Sequence, residues 1–253
     1  MAQTDALVTG VEQSGSFTRV TLAASAITSS LAPGRFVLAG LGGYLRTPLF
    51  PARMGADRFD VLVPPDHPAV TLRPGDEVNL IGPLGRGYEV PEAACRLLLV
   101  AGTVHLPVLL PLTQSRNRVF SEKPGFSSSI ALLLSAPTAA ALYPIQFLPP
   151  ALEIHVVTAD GSAGHHGSPL DLFPDLVRWA DCLCIADNPA TYPAMAKIVR
   201  EVRVGPGTRF AQALVVPPMA CGVGACQGCG VEVTRGTKLA CTDGPVFDLL
   251  ELR

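Results

Sequence analysis

Alternating hydrophobic and polar positions dominate the first third of the chain. Between residues 5 and 90 the alternation recurs in short runs, and turn-forming pairs such as Pro33-Gly34 and Gly42-Gly43 separate them. Runs with this period are typical of half-buried β-strands. The pattern therefore predicts a small antiparallel β-barrel rather than a helical domain, with strands over Ala6–Val8, Phe17–Leu22, Arg35–Ala39 and Arg58–Val63.

From Arg96 onward the pattern changes to continuous apolar runs separated by stretches of helical length. Strands that are apolar on both faces are typical of a parallel sheet covered by helices. The polar stretch Gln114–Ser129 is predicted to be a mobile loop, because it carries a Pro-Gly pair and ends in a run of three serines. The pattern predicts a Rossmann-like parallel α/β domain, with central strands over Leu97–Val100, Ile130–Leu134, Leu152–Val157 and Cys182–Ile185.

Length and composition suggest more than one domain. The chain has 253 residues, which exceeds one typical domain. Hydrophobic residues make up 48% and charged residues only 16%, so we expect extensive burial, including a face that meets another subunit. The fold class predicted is a multi-domain β plus α/β protein: a β-barrel over 1–93, an α/β domain over 94–215 and a small carboxyl-terminal module over 216–253.

Charge and hydropathy argue against nucleic acid and membrane partners. The net charge is -2 and there is no basic run to neutralise phosphates. The most apolar window, Leu97–Leu112, is interrupted by Gly102 and Pro107 and is too short to span a bilayer. The first residues lack the basic and apolar parts of a signal peptide, so the sequence predicts a cytoplasmic protein with free thiols.

Four cysteines near the carboxyl end carry the clearest chemistry. Cys221, Cys226, Cys229 and Cys241 follow the spacing C-x4-C-x2-C-x11-C within a glycine-rich segment. This spacing is that of a plant-type [2Fe-2S] cluster, in which one loop supplies three thiolates and a fourth comes from elsewhere. The alternating residues 231–233 and the turn after them predict a hairpin that returns the chain to Cys241.

Zinc and disulfides are the alternatives to a cluster. A structural zinc site usually has two C-x2-C pairs, and here Cys226 and Cys229 form the single pair. Disulfides are disfavoured because the chain has an odd number of cysteines, 7. We expect Cys95, Cys182 and Cys184 to be small buried hydrophobes, since their neighbours are apolar.

The order of barrel, α/β domain and cluster loop resembles a known family. The most specific segments are Cys221–Cys229 with Cys241–Phe247, then Gly82–Tyr88 and Thr158–Gly164. With these, nearly the whole chain resembles the electron-transfer subunits of type B dihydroorotate dehydrogenase, which are ferredoxin-reductase-like flavoproteins. The resemblance implies FAD in the barrel, NADH as the hydride donor at the α/β domain, and electron transfer through the cluster to a catalytic partner subunit of pyrimidine biosynthesis.

The same resemblance implies flavin contacts in one short stretch. Arg46, Pro48 and Leu49 align with the family's Arg-Pro-Ile-Ser motif and the basic residue before it. Thr47 and Phe50 stand where the family has its arginine and serine. The implied cofactor contacts are therefore Arg46, whose guanidinium reaches phosphate across one residue, and the apolar Pro48 and Leu49.

Nicotinamide contacts are implied at two loops. Gly102 and Pro107 remain from the family's Gly-Gly-x-Gly-x-x-Pro segment, whose glycines let a dinucleotide approach the backbone. Asp160 and Gly161 match a second family loop, and Ala186–Pro189 stands where relatives have Cys-Gly-Pro near the nicotinamide.

Two functions follow from these residues. The first is an oxidoreductase subunit that passes electrons from NADH through FAD and the cluster to a dihydroorotate dehydrogenase-like partner in a hetero-oligomer. The alternative is a partner-bound iron–sulfur carrier or interaction subunit that has lost flavin and NAD binding, because Thr47, Phe50 and the loop after Gly102 remove phosphate contacts. No nucleophile, base and acid form a recognisable set, so no catalytic side chain is predicted.

Overall fold

The computed structural model describes residues 1–114, 129–150 and 152–253. The loop predicted over Gln114–Ser129 lies almost wholly outside them. The described residues form two compact units: Met1–Tyr88 with Val215–Glu232 and Gly236–Val246, and Glu89–Leu214 with Val233–Arg235 and Phe247–Arg253. Division of the chain at residues 93 and 215 stays a prediction. No helix in the described residues is both long and apolar enough to cross a membrane.

The first unit is built on a seven-stranded antiparallel sheet. Its strand order is β4-β3-β7-β1-β2-β6-β5. Every second residue in parts of these strands is completely buried, for example Ala6, Val8, Val20 and Leu22. This burial confirms the strands that were predicted from the alternating pattern. The elements are β1 (Ala2–Ser14), β2 (Phe17–Ala23), α1 (Ser25–Thr28), β3 (Phe36–Ala39), β4 (Thr47–Leu49), β5 (Arg53–Met54), β6 (Arg58–Val63), a 3₁₀ turn (Pro68–Thr71) and β7 (Glu77–Leu84).

The second unit contains the predicted α/β sheet. Its strand order is β11-β10-β9-β8-β12-β13-β16, and all pairs from β11 to β13 are parallel. The elements are β8 (Arg96–Gly102), β9 (Ser129–Ala136), β10 (Glu153–Thr158), β11 (His165–His166), α2 (Pro169–Trp179), β12 (Cys182–Ala186), α3 (Tyr192–Val202), β13 (Ala211–Leu214) and β16 (Val246–Asp248), with 3₁₀ turns at Leu106–Val108, Ala139–Ala141, Ile145–Phe147, Pro189–Thr191 and Leu249–Glu251.

The topology of this sheet positions one candidate site. The chain runs outward from β8 to β9 and β10, and then returns to place β12 on the other side of β8. In open parallel sheets, ligands bind in the crevice at the carboxyl ends of the strands where the order reverses. The carboxyl ends of β8 and β12, at Gly102 and Ala186, therefore border the crevice where a ligand is expected.

The cysteine-rich segment ends in the predicted hairpin. Strands β14 (Gly230–Val233) and β15 (Gly236–Leu239) form a two-stranded sheet. Elsewhere, Cys182 and Cys184 are fully buried as predicted. The prediction was wrong for Cys95, which is only partly buried because it precedes β8 rather than lying within it.

Asp181 joins the starts of β12 and β8. Its carboxylate accepts hydrogen bonds from the backbone N–H groups of Cys95 and Arg96 at 3.0 and 2.9 Å and from the Arg96 guanidinium at 2.8 Å. Asp181→Ala leaves these donors without their acceptor, so we expect the free energy of unfolding to fall by about 1–3 kcal/mol. Urea denaturation at neutral pH measures the loss.

This stabilisation should depend on pH. The Arg96 side chain, followed by the backbone N–H groups, lowers the pKa of Asp181. Because the pKa is lower in the folded state, the contribution is complete above the unfolded value of about 4 and is lost as the pH falls through the folded pKa. The difference between wild type and Asp181→Ala should therefore shrink on acidification, and an unchanged difference would refute this role for the carboxylate.

Candidate cluster and cofactor sites

The hairpin brings the third and fourth cysteines together. The backbone N–H of Ala240 donates to the carbonyl of Cys229 at 3.0 Å. The sulfur atoms of Cys229 and Cys241 consequently lie 3.3 Å apart, and both residues are only 2% exposed. Asp243 fixes the turn that follows, since its carboxylate accepts the N–H of Leu239 at 2.8 Å. No local sequence pattern predicts this role for Asp243.

The first two cysteines form a second pair on the outer side of the loop. Cys221 is partly buried and Cys226 is exposed. The sulfur of Cys221 accepts backbone N–H groups from Val223 and Cys226, each at 3.5 Å. Such N–H···S contacts stabilise a thiolate and tune a bound cluster.

A [2Fe-2S] cluster with four cysteine ligands needs two thiolates for each iron. The described residues contain no group of three or more His, Cys, Asp or Glu side chains placed around a single metal ion. The pairs Cys221/Cys226 and Cys229/Cys241 match the need for two thiolates on each iron. The four residues fit the cluster as ligands.

The two pairs differ in their electrostatic environment. Hydrogen bonds from the backbone of Cys226 and Val223 lower the pKa of Cys221 to about 6. Burial, together with the neighbouring Cys229 thiol, raises the pKa of Cys241 to about 11. The outer thiol therefore ionises more readily than the inner thiol, which must lose its proton when it binds metal.

Gly222 lets the loop pack closely on the barrel strands. Its φ is +71°, and a Cβ at this position would lie 2.7 Å from Cδ1 of Leu38 and 2.9 Å from Cδ1 of Leu84. Both the backbone conformation and the lack of space therefore require glycine beside Cys221.

The flavin stretch lies on an edge strand of the first sheet. Leu49 is buried and Pro48 is half-buried, both in β4. The guanidinium of Arg46 already has hydrogen-bond partners in the protein. It donates to the carbonyl and to the side-chain oxygen of Asn79, at 3.0 and 2.6 Å. The ring of Phe50 lies 5.5 Å from that of Phe36. The side chain of Leu49 is 1% exposed and packs in the core of this unit, so only its backbone can reach a cofactor. Phe50 is half-buried, and Arg46 must exchange Asn79 for a phosphate to bind a diphosphate.

Gly102 ends β8 beside two ionisable side chains. A Cβ on Gly102 would lie 2.8 Å from Oδ1 of Asp187 and 3.5 Å from Nδ1 of His105. Burial raises the pKa of Asp187 and lowers that of His105. Sequence patterns did not single out Asp187 as a buried acid, because its burial depends on the neighbouring strand.

Asp160 and Gly161 lie on a separate, exposed turn after β10. The Asp160 carboxylate accepts the backbone N–H and hydroxyl of Ser162 at 3.0 and 2.6 Å. The hydroxyl oxygen of Ser162 in turn accepts the N–H of Ala139 at 2.7 Å. The bonds from Ser162 lower the pKa of Asp160, and the Ser162 hydroxyl contributes most. The same hydrogen bonds stabilise the loop as a turn.

Structural neighbours show the same fold. The chain is similar to a chain of the NADH-dependent reduced ferredoxin–NADP oxidoreductase, with TM-score 0.81, 23% identity and coverage of 98% of this chain and 89% of the other. It is also similar to phthalate dioxygenase reductase, with TM-score 0.62, 13% identity and coverage of 94% and 93%. These similarities confirm the predicted barrel, α/β and cluster-domain architecture.

Sequence comparisons point to one family. Residues 217–253 match the model of the iron–sulfur cluster binding domain of dihydroorotate dehydrogenase B. A probable dihydroorotate dehydrogenase B (NAD(+)) electron transfer subunit from Methanopyrus kandleri is 30% identical over 229 residues, covering 87% of this chain and 80% of the relative. The corresponding Desulforamulus reducens subunit is 29% identical over 182 residues, covering 69% of this chain and 65% of the relative. This chain belongs to the family of dihydroorotate dehydrogenase B electron transfer subunits.

Proposed function

We propose that this chain passes electrons from NADH, through bound FAD and a [2Fe-2S] cluster, to a catalytic partner subunit that oxidises dihydroorotate. The relatives carry the name of that enzyme's electron transfer subunit. Cytoplasmic location and assembly as a hetero-oligomer are part of the same proposal. The chain's own reaction would be the acceptance of hydride from NADH.

The paired cysteines carry this proposal. Cys229 and Cys241 are buried with their sulfur atoms 3.3 Å apart, while Cys226 is exposed. Cys229 and Cys241 would hold a cluster from the protein interior, and Cys221 and Cys226 would hold it from the more accessible side of the loop. Since iron–sulfur clusters transfer single electrons, this arrangement suits delivery of electrons to another subunit.

The same proposal extends to the residues that would hold the other two cofactors. We propose that Arg46, Pro48 and Leu49 hold the flavin, and that Gly102, Asp160 and Gly161 border the NADH site. Bound FAD supplies the conversion of a hydride into two single electrons. Arg46 contributes by releasing Asn79, a neutral partner, in favour of a doubly charged diphosphate, which guanidinium binds more strongly.

Anaerobic visible spectroscopy of the purified protein tests the complete relay. We expect flavin and cluster absorbance in the isolated protein, with both decreasing when NADH is added. Heat release followed by chromatography should identify the flavin as FAD. Cluster bands without flavin, and no response to NADH, would contradict the relay and favour the iron–sulfur carrier instead. Zinc without acid-labile sulfide would contradict both.

A further inference from the structure

A short platform at the carboxyl end of β7 contacts the cysteine-rich segment at two places. The platform consists of residues 83–86. Cδ1 of Leu84 lies 2.9 Å from the point where a Gly222 side chain would begin. The backbone N–H of Arg86 donates to the carbonyl of Gly244 at 2.5 Å. The platform therefore touches both ends of the segment that carries the four cysteines.

The first contact lies next to the ligand Cys221. Gly222 follows Cys221 directly, and it rests on Leu84. The Cys221 sulfur accepts the backbone N–H groups of Val223 and Cys226, each at 3.5 Å. Because these donors belong to the loop that rests on the platform, a shift of the platform weakens the N–H···S contacts. Hydrogen bonds to the sulfurs are one of the factors that set the reduction potential of an iron–sulfur cluster.

The second contact reaches the turn that carries Cys241. The carbonyl of Leu239 accepts the N–H groups of Thr242 and Gly244, at 3.1 and 3.3 Å. These bonds close the turn around Cys241. Gly85 of the platform lies against this turn, since a Cβ on Gly85 would be 2.5 Å from the carbonyl oxygen of Gly244. The position of Cys241 thus depends on the position of the platform.

Arg35 anchors the platform. Its guanidinium donates to the carbonyl oxygens of Pro83 and Gly85, at 3.2 and 3.1 Å, and to that of Ser30 at 2.9 Å. All the hydrogen bonds described for Arg35 end on backbone carbonyls. A planar guanidinium holds several acceptors in one fixed geometry, which the flexible ammonium of a lysine does not.

The anchored carbonyls bracket the contacts with the cysteine-rich segment. Pro83 and Gly85 stand on either side of Leu84, the residue that contacts Gly222. Arg35 is half-buried, so its hydrogen bonds are partly shielded from competing water. Loss of the guanidinium therefore frees the part of the barrel on which the ligand segment rests.

We propose that Arg35 is a positioning residue for the iron–sulfur cluster. It acts through the backbone of residues 83–86, which hold the chain beside Cys221 and Cys241, and it thereby preserves the N–H···S contacts that raise the reduction potential. None of the hydrogen bonds described for Arg35 involves a cysteine. The inference rests on the proposed function for the presence of the cluster, and it requires neither NADH, FAD nor a partner subunit.

Arg35→Met tests this role, because methionine keeps an apolar stem and removes every donor. A redox titration with dithionite, followed by electron paramagnetic resonance of the complete chain, gives the midpoint potential of the cluster. We expect the iron and sulfide content of the wild type, a more negative potential and a broader signal, because weaker N–H···S contacts stabilise the reduced cluster less. A wild-type potential and signal in Arg35→Met would overturn the inference.

Two variants control for general effects. Arg58→Met makes the same substitution at an exposed arginine of the same unit, whose guanidinium bonds to the neighbouring Asp57. Val20→Ala leaves a cavity at a completely buried side chain of β2, and so destabilises the barrel without altering the platform. Both variants should keep the wild-type potential. An equal shift in Val20→Ala would mean that lost stability explains the effect, and the inference would be wrong.

Leu84→Ala carries the test if Arg35→Met does not fold or does not hold its cluster. It leaves the carbonyl acceptors of Arg35 in place and removes the contact with Gly222, so the potential should again become more negative. An unchanged potential in Leu84→Ala would contradict the role of the platform. If NADH does not reduce the wild-type cluster but Arg35→Met shifts the potential, the proposed function fails and this inference stands. If NADH reduces the wild-type cluster and Arg35→Met leaves the potential unchanged, the reverse holds.

Discussion

Replacing Cys221 with serine is expected to abolish the iron–sulfur cluster. A serine oxygen is a harder ligand than sulfur and ionises far less readily, whereas hydrogen bonds from Val223 and Cys226 favour the Cys221 thiolate. Iron and acid-labile sulfide should fall from about two of each per chain to near zero. Colorimetric iron and sulfide assays on protein purified without oxygen measure the loss.

Cys95→Ser is the control for this substitution. Cys95 is a partly buried thiol whose sulfur contacts only the carbonyl of Ala93, at 3.6 Å, among the hydrogen bonds described for it. The serine variant should keep the full complement of iron and sulfide. Full cluster content in Cys221→Ser would show that the four-cysteine assignment is wrong.

Gly222→Ala is expected to destabilise the cluster loop strongly. A β-carbon at φ +71° costs about 1–2 kcal/mol in backbone strain. Overlap with Leu38 and Leu84, at 2.7 and 2.9 Å, adds about 1–3 kcal/mol because both side chains are packed in the barrel. We expect a lower free energy of unfolding and partial loss of cluster absorbance.

Gly236→Ala separates the two causes. Gly236 has a φ of +94°, but no atom lies within 4 Å of the position of its Cβ. This variant should lose only the strain contribution, about 1–2 kcal/mol, and should keep its cluster. Equal effects of both substitutions in urea denaturation would mean that packing against Leu38 and Leu84 contributes nothing.

Much of the fold could be predicted from periodicity. Residues such as Val20 and Leu22 alternate with polar neighbours because one face of their strand is buried, and the continuous apolar run at 97–100 reflects a strand covered on both faces. The alternating residues after Cys229 likewise predicted the hairpin that brings Cys229 and Cys241 together. These signals are local, so the sequence displays them directly.

The contacts that the sequence did not reveal are those between distant segments. Arg46 and Asn79 are 33 residues apart, and nothing in the flavin stretch predicts that its guanidinium is already engaged. Asp187 looks like an ordinary turn residue, yet it is 8% exposed because β8 and β12 become neighbours only when the sheet forms. Polar pairing and burial of this kind depend on tertiary structure, which single-sequence patterns do not encode.

Electron paramagnetic resonance of the protein reduced anaerobically with NADH tests the relay most directly. A reduced [2Fe-2S] cluster has one unpaired electron, so NADH should generate a signal that approaches the one obtained with dithionite, about one spin per chain. The signal should be absent from Cys221→Ser and present in Cys95→Ser. A cluster that dithionite reduces but NADH does not would contradict electron entry from NADH, and no signal with either reductant would contradict the cluster itself.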